Sequence, residues 1–142
     1  MADQDVTAVI RENLAAFNAG DRARYKGTLT NDSVYDELAT QRRAKGPDEV
    51  AETMFSWKEA FPESKGDIGS MIVSGTSAAV EITWTGKQTG PLQGPGGTIP
   101  ASGKTVSIPA VQMIDTEGGK IKSVRHYFDM MTMLQQLGAA PQ

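Results

Sequence analysis

Position 126 holds the single histidine of this 142-residue chain. Histidine is the side chain whose ordinary pKa lies nearest neutrality, so it is the first candidate for moving a proton. It stands in the run Lys120 to Phe128, which alternates like a strand, so Val124, His126 and Phe128 share one face. Asp129 follows where the pattern turns helical, Met130 to Leu137. Its simplest role is helix N-cap, with acid/base work or indirect orientation of His126 as the alternative. A second polar group is Tyr35-Asp36-Glu37. Alternation puts Tyr35 and Glu37 on one face and Asp36 on the other. A carboxylate facing His126 would orient a base; the alternative is two carboxylates solvated at a strand end. Gln112 shares a face with Ala110 and Ile114, and a buried amide needs partners. It either holds a carbonyl or enolate oxygen or faces a dimer partner.

Bulk composition narrows the chemistry. The net charge is -3 and the short basic run Arg42-Arg43 is no patch, so nucleic acid is not an expected partner. With no cysteine and one histidine, disulfides, thiolate chemistry and a zinc site are not expected. The acidic start, Met1-Ala2-Asp3-Gln4-Asp5, lacks the pattern of a secretory signal, and no apolar run reaches membrane-spanning length. The expectation is a cytoplasmic protein with one domain over residues 1–142 and no membrane association.

Helices and strands must position these residues. Asp3 or Asp5 is expected to cap a helix carrying Val6, Val9, Ile10, Leu14 and Phe17 on one face. Gly20 ends it and Asp21 caps a short second helix through Tyr25. An extended run covers 32–38, then a polar loop covers 40–45. Pro47 with Asp48 and Glu49 starts a helix that carries Val50, Met54, Trp57 and Phe61 and stops at Pro62. Thereafter the period changes to two. Strands are expected over 67–74, 80–85, 105–115 and 119–128, with Val80, Ile82 and Trp84 on one face. Pro109 implies an edge or a bulge. The Gly/Pro-rich stretch 87–104 is either a lid or a long hairpin connection. Phe17, Trp57, Met54 and Trp84 read as core or cavity wall, with Trp84 also offering a flat surface to an aromatic ligand. Met130, Met131 and Met133 suit a helix that closes the end of the sheet or packs at a dimer seam. Helices on one face of a curved antiparallel sheet make an α+β fold, cone-shaped, with a pocket between sheet and helices.

Three segments carry a family likeness: Ala16-Phe17-Asn18-Ala19-Gly20-Asp21, Gly46-Pro47 through Ala60-Phe61-Pro62, and Gly119-Lys120-Ile121 through Phe128-Asp129 and Leu134 to Gly138. The stretch Thr83 to Gly90 also fits. Over roughly Val6 to Gly138 the chain resembles the SnoaL-like polyketide cyclases, ester cyclase-type members of the group sharing the nuclear transport factor fold. The resemblance implies three N-terminal helices on the concave face of the sheet and a short C-terminal helix. It also implies an intramolecular aldol ring closure on a hydrophobic polycyclic molecule, without metal or cofactor, and pairing into a homodimer through the open sheet face. There the mixed outward residues Ser107, Val111 and Met113 fit.

The family's acid/base aspartate, aligned on Gly119-Lys120-Ile121, falls on His126, and its histidine falls on Val124. The chain thus departs from the family where chemistry is done, and an imidazole keeps proton transfer possible. The resemblance places His126 on the pocket wall as general acid/base, with Val124, Phe128, Trp84, Trp57 and Phe17 around the substrate. It makes Tyr35 and Gln112 the donors that hold the developing oxyanion. A carrier with the same pocket is the alternative, and a hydroxylase or hydrolase relative the next. Epoxide hydrolysis ranks last, because no matched Asp/Arg/Asp set stands on facing strands.

Overall fold

The computed structural model describes residues 2–94 and 96–139. Helix α1 spans Ala2–Ala19, so it begins ahead of Asp5, which does not cap it, while the Asp3 side chain lies outside the described residues. Gly20 takes φ 72° and ends it, a left-handed conformation that costs glycine little. The Asp21 side chain accepts from the Arg24 amide at the start of α2, Arg22–Gly27. The expected helix from Pro47 to Phe61 is two pieces, α3 (Gly46–Phe55) and α4 (Trp57–Ala60), broken at Ser56. Asp129 caps α5 (Met130–Leu137), accepting from the Thr132 amide, and Gly138 closes it with φ 74°.

Eight strands fill the rest: β1 (Leu29–Glu37), β2 (Arg42–Lys45), β3 (Lys65–Ser74), β4 (Ser77–Lys87), β5 (Leu92–Gly94), β6 (Gly97–Ile99), β7 (Thr105–Glu117) and β8 (Lys120–Phe128). Six form one curved sheet in the order β2-β1-β8-β7-β4-β3, while β5 and β6 pair as a separate hairpin. The stretch 40–45 is therefore largely strand rather than loop. Nor is the sheet antiparallel throughout: β1 lies parallel to β8. That pairing joins the first strand to the last and sets Glu37 opposite His126. Pro109 stands inside the sheet, paired with Thr83 of β4. The ladder between β7 and β8 begins only at Ala110, so on that side position 109 is an edge and the missing N–H costs little.

One face of the sheet is buried. Val6, Ile10 and Phe17 of α1, Tyr25 of α2 and Val50, Met54 and Phe55 of α3 pack with Val80, Ile82, Ile114 and Val124 of the strands. A second cluster joins Phe61 to Leu92, Val106, Ile108, Met133 and Leu137. Trp84 packs against both clusters. The stretch 88–104 is tied down by fully buried Gln88, whose amide donates to the Ile99 carbonyl and accepts from the Ser102 N–H.

Gly90 docks that stretch on the α4 turn by donating to the Ala60 carbonyl at 3.2 Å. A Cβ at this position would land on the Glu59 carbonyl oxygen, which is backbone and cannot swing aside. Gly90→Ala is therefore expected to cost about 2 kcal/mol, the scale of overpacking a filled site. Urea unfolding checks it; a loss within about 0.5 kcal/mol of zero would show that the backbone yields.

Candidate active site

His126 is 3 % exposed and lines an apolar cavity between the sheet and the helices. Phe17, Met54, Trp57, Trp84, Phe128 and Met133 are among the residues of its wall. The cavity measures about 50 Å³, room for a few waters and far short of a typical ligand site. The methionines on its wall, Met54 and Met133, have the flexible side chains that let such a site enlarge.

Both ring nitrogens of His126 are engaged. Trp84 Nε1–H lies 3.1 Å from Nε2. An indole N–H can only donate, so Nε2 is the acceptor and the neutral ring carries its proton on Nδ1. Nδ1 stands 2.8 Å from the Tyr35 hydroxyl, which thus accepts that proton's hydrogen bond. Tyr35 in turn donates to Glu37 Oε2 at 2.6 Å. The direction of every hydrogen bond from Trp84 to Glu37 is set by the one group that has no choice. Burial pulls the His126 pKa down to about 4 against the opposing pull of the Glu37 charge, so the ring is neutral at neutral pH. Burial and the neighbouring carboxylate hold Tyr35 well above its ordinary value, so the phenol keeps its proton.

Glu37 is buried at 1 % exposure, yet ionised. Burial alone would raise its pKa; hydrogen bonds from Thr40, Tyr35 and Trp57 and the Arg42 charge outweigh this and leave it lowered. Thr40 donates to Oε1 at 2.5 Å, Trp57 Nε1–H to Oε2 at 2.9 Å, and Arg42 reaches Oε1 through Nε at 3.0 Å and Nη2 at 2.7 Å. The guanidinium also lies 5.6 Å from the centre of the Trp57 ring. The β1–β2 hairpin brings Arg42 back opposite Glu37.

The expected site residues divide accordingly. His126, Trp84, Phe128, Trp57 and Phe17 come together on the cavity wall. Tyr35 stands behind His126, and its one proton is already donated to Glu37, so it is not free to hold a substrate oxygen. Gln112 faces His126 across the β7–β8 pair but does not line the cavity. Val124 is core. Asp129 is the exposed cap of α5 and lies on the far face of the sheet from the cavity. Of the two carboxylates weighed on β1, Glu37 is the one turned inward, and it reaches His126 through Tyr35 rather than directly. The stretch 88–104 contributes no lining residue among the described ones, so it does not cover the cavity, whereas α5 does through Met133. Sequence reasoning missed Arg42, Thr40 and Ser64. Arg42 was detectable as a cation one hairpin away from Glu37; Ser64, a buried cavity-lining serine beyond Pro62, carried no signal.

The model of a family described as SnoaL-like polyketide cyclase matches residues 7–137. No curated protein matches the sequence. Among solved structures, a candidate SnoaL-like polyketide cyclase from Jannaschia sp. CCS1 is similar with a TM-score of 0.85 at 20% identity, over 97% of this chain and 94% of that one. AclR from Streptomyces galilaeus, a candidate hydroxylase, is similar with a TM-score of 0.82 at 22% identity, over 98% of this chain and 88% of that one. An epoxide hydrolase from M. tuberculosis is similar with a TM-score of 0.73 at 18% identity, over 94% and 90%. At these identities the likeness is one of fold, and one fold carries several chemistries.

Proposed function

The chain belongs to the SnoaL-like polyketide cyclase family, and on that premise we propose that it is a cofactor-independent acid/base enzyme that closes a ring in an apolar, polycarbonyl small molecule. One observation carries the reading. The only histidine lines the cavity, neutral, with its protonated Nδ1 held by a Glu37–Tyr35 relay behind it and its Nε2 left unprotonated. In this reading Nε2 takes a proton from the carbon beside a carbonyl. The resulting enolate carbon attacks a second carbonyl, whose π electrons move onto its oxygen. Nε2–H then protonates that alkoxide, returning the ring to neutrality. Glu37 stabilises the transient imidazolium across Tyr35, as the orienting carboxylate of other base relays does. Met133 and α5 move aside to admit the ligand.

The test pairs a structure soaked with a polyaromatic ketone with turnover by His126→Ala. The expected outcome is ligand density beside His126 and Phe128, and loss of turnover by about a hundredfold or more. Unchanged turnover in the variant would refute the role of His126. A ligand found elsewhere would refute the cavity.

A non-catalytic carrier is the second reading, favoured by the engagement of both His126 nitrogens. It predicts binding without turnover that survives His126→Ala. In either reading the protein works as a homodimer through the outer sheet face, where Ile72 is 69% and Tyr127 44% exposed. Sedimentation equilibrium checks this, and a monomer mass at micromolar concentration would exclude it.

A further inference from the structure

Ring closure through an enolate needs a donor for the developing oxygen, and Tyr35 and Gln112 are not available for it. We propose that Trp84 is that donor: its indole N–H, which caps His126 Nε2 in the free protein, transfers to a carbonyl oxygen of the ligand and thereby uncovers the base. The inference rests on the acid/base reading above.

The geometry favours it. Trp84 and His126 both line the cavity, and their nitrogens stand 3.1 Å apart. A donor and a lone pair so close match the two neighbouring sites of an enolisable ketone, the carbonyl oxygen and the hydrogen on the next carbon. While the N–H rests on Nε2, the lone pair cannot receive a carbon-bound proton. An oxygen arriving from the cavity side can take the N–H, and it becomes a stronger acceptor than the neutral ring as negative charge builds on it, so the lone pair is freed as the carbon-bound proton leaves. The proton then passes from carbon to Nε2 as the electron pair moves onto the oxygen held by Trp84.

The indole is held in place for this. Its ring meets Phe17 edge-on at 5.3 Å. Gly66 also lies against it, where a Cβ would sit 2.6 Å from Cζ3 of the indole. The absence of a side chain at position 66 makes room for the ring. Fixing a donor before reaction is what gives such a hydrogen bond its catalytic weight.

One histidine and two tryptophans make the test clean. In Trp57→Phe protein the remaining indole N–H signal is that of Trp84, and the imidazole nitrogen signals are those of His126. Phenol serves as a small planar enol mimic, and toluene as the same outline without oxygen. Phenol is expected to move the Trp84 N–H and the His126 Nε2 signals together; toluene is expected to leave Nε2 where it was. A Nε2 signal that stays fixed through the phenol titration overturns the proposal, and this arm needs no change at Trp84. The second arm follows hydrogen–deuterium exchange at the α-carbon of cyclohexanone in D2O. Trp84→Phe keeps the ring and loses the donor, and should slow catalysed exchange about a hundredfold, the usual effect of removing one oxyanion donor. Exchange at the wild-type rate in Trp84→Phe, with His126→Ala inactive, overturns the donor role and leaves the acid/base reading intact. Exchange that His126→Ala does not slow, or that the wild type does not catalyse, refutes the acid/base reading instead; the phenol titration alone then decides whether Trp84 passes its N–H to a ligand.

Discussion

Glu37→Ala is expected to destabilise the protein by about 3 kcal/mol, at the lower end of what breaking a buried ion pair costs. The carboxylate accepts from Thr40, Tyr35, Trp57 and Arg42 at once. Removing it leaves a buried phenol, an indole N–H and a threonine hydroxyl without their acceptor, each a loss of about 1 kcal/mol or more. The guanidinium is the smaller part, because the Arg42 side chain is 40% exposed and water can replace its partner. Arg42→Ala should therefore cost only about 1 kcal/mol, since Glu37 keeps its other donors. Urea unfolding of the two variants decides between a hydrogen-bond hub and a simple ion pair. If Arg42→Ala proves as costly as Glu37→Ala, the ion pair dominates. Because the folded pKa of Glu37 is lowered, its stabilisation is present at neutral pH and is lost as pH falls below the ordinary carboxylate range.

A second loss sets in at milder acidity. His126 has a folded pKa of about 4 against an ordinary 6.5. Between those values the unfolded chain binds a proton that the folded protein refuses. Stability is complete above the unfolded value and drains away as pH falls toward the folded one. The slope is about 1.4 kcal/mol per pH unit, or about 3 kcal/mol across the window. With one histidine in the chain, the slope between pH 6.5 and 5 belongs to this residue. His126→Gln should flatten it, leaving only the carboxylate loss at lower pH. Chemical unfolding at pH 7 and pH 5 measures both proteins. An equal fall in wild type and variant would mean that the imidazole is not buried neutral. The same depression keeps the base unprotonated across the working range, so activity should be level from about pH 5 to pH 8.

The helices and most strands were legible because their signals are local. Asp21, Pro47, Asp129 and Gly138 act within a turn of where they stand, and β4 and β7 advertise their inner faces by alternation. The parallel pairing of β1 with β8 left no such mark. It depends on chain ends meeting across the whole fold, and a period of two does not say which strand lies beside which. The site divided on the same line. His126 and its face could be read from one strand, and Tyr35 and Glu37 from another. What could not be read was the direction of each hydrogen bond, which follows from Trp84 meeting Nε2. That contact spans β4 and β8, two strands that are not even neighbours in the sheet. The resemblance located the histidine; only the contacts show that the tyrosine behind it is spent.

The β1–β8 ladder has a bearing on how the molecule comes into being. Tyr35 and His126 are 91 positions apart, and their strands must find each other after everything between them has been made. Contacts at such separation form late and slow folding. Until β8 docks, β1 and β7 each present an open edge with an apolar face, the kind of surface that recruits other chains. The lone histidine thus enters a place that did not exist before its own strand arrived. A nascent or truncated chain lacking β8 would be without the candidate site and would also be prone to aggregate, so folded protein is protein in which the chain of hydrogen bonds from Glu37 through Tyr35 to His126 is already assembled.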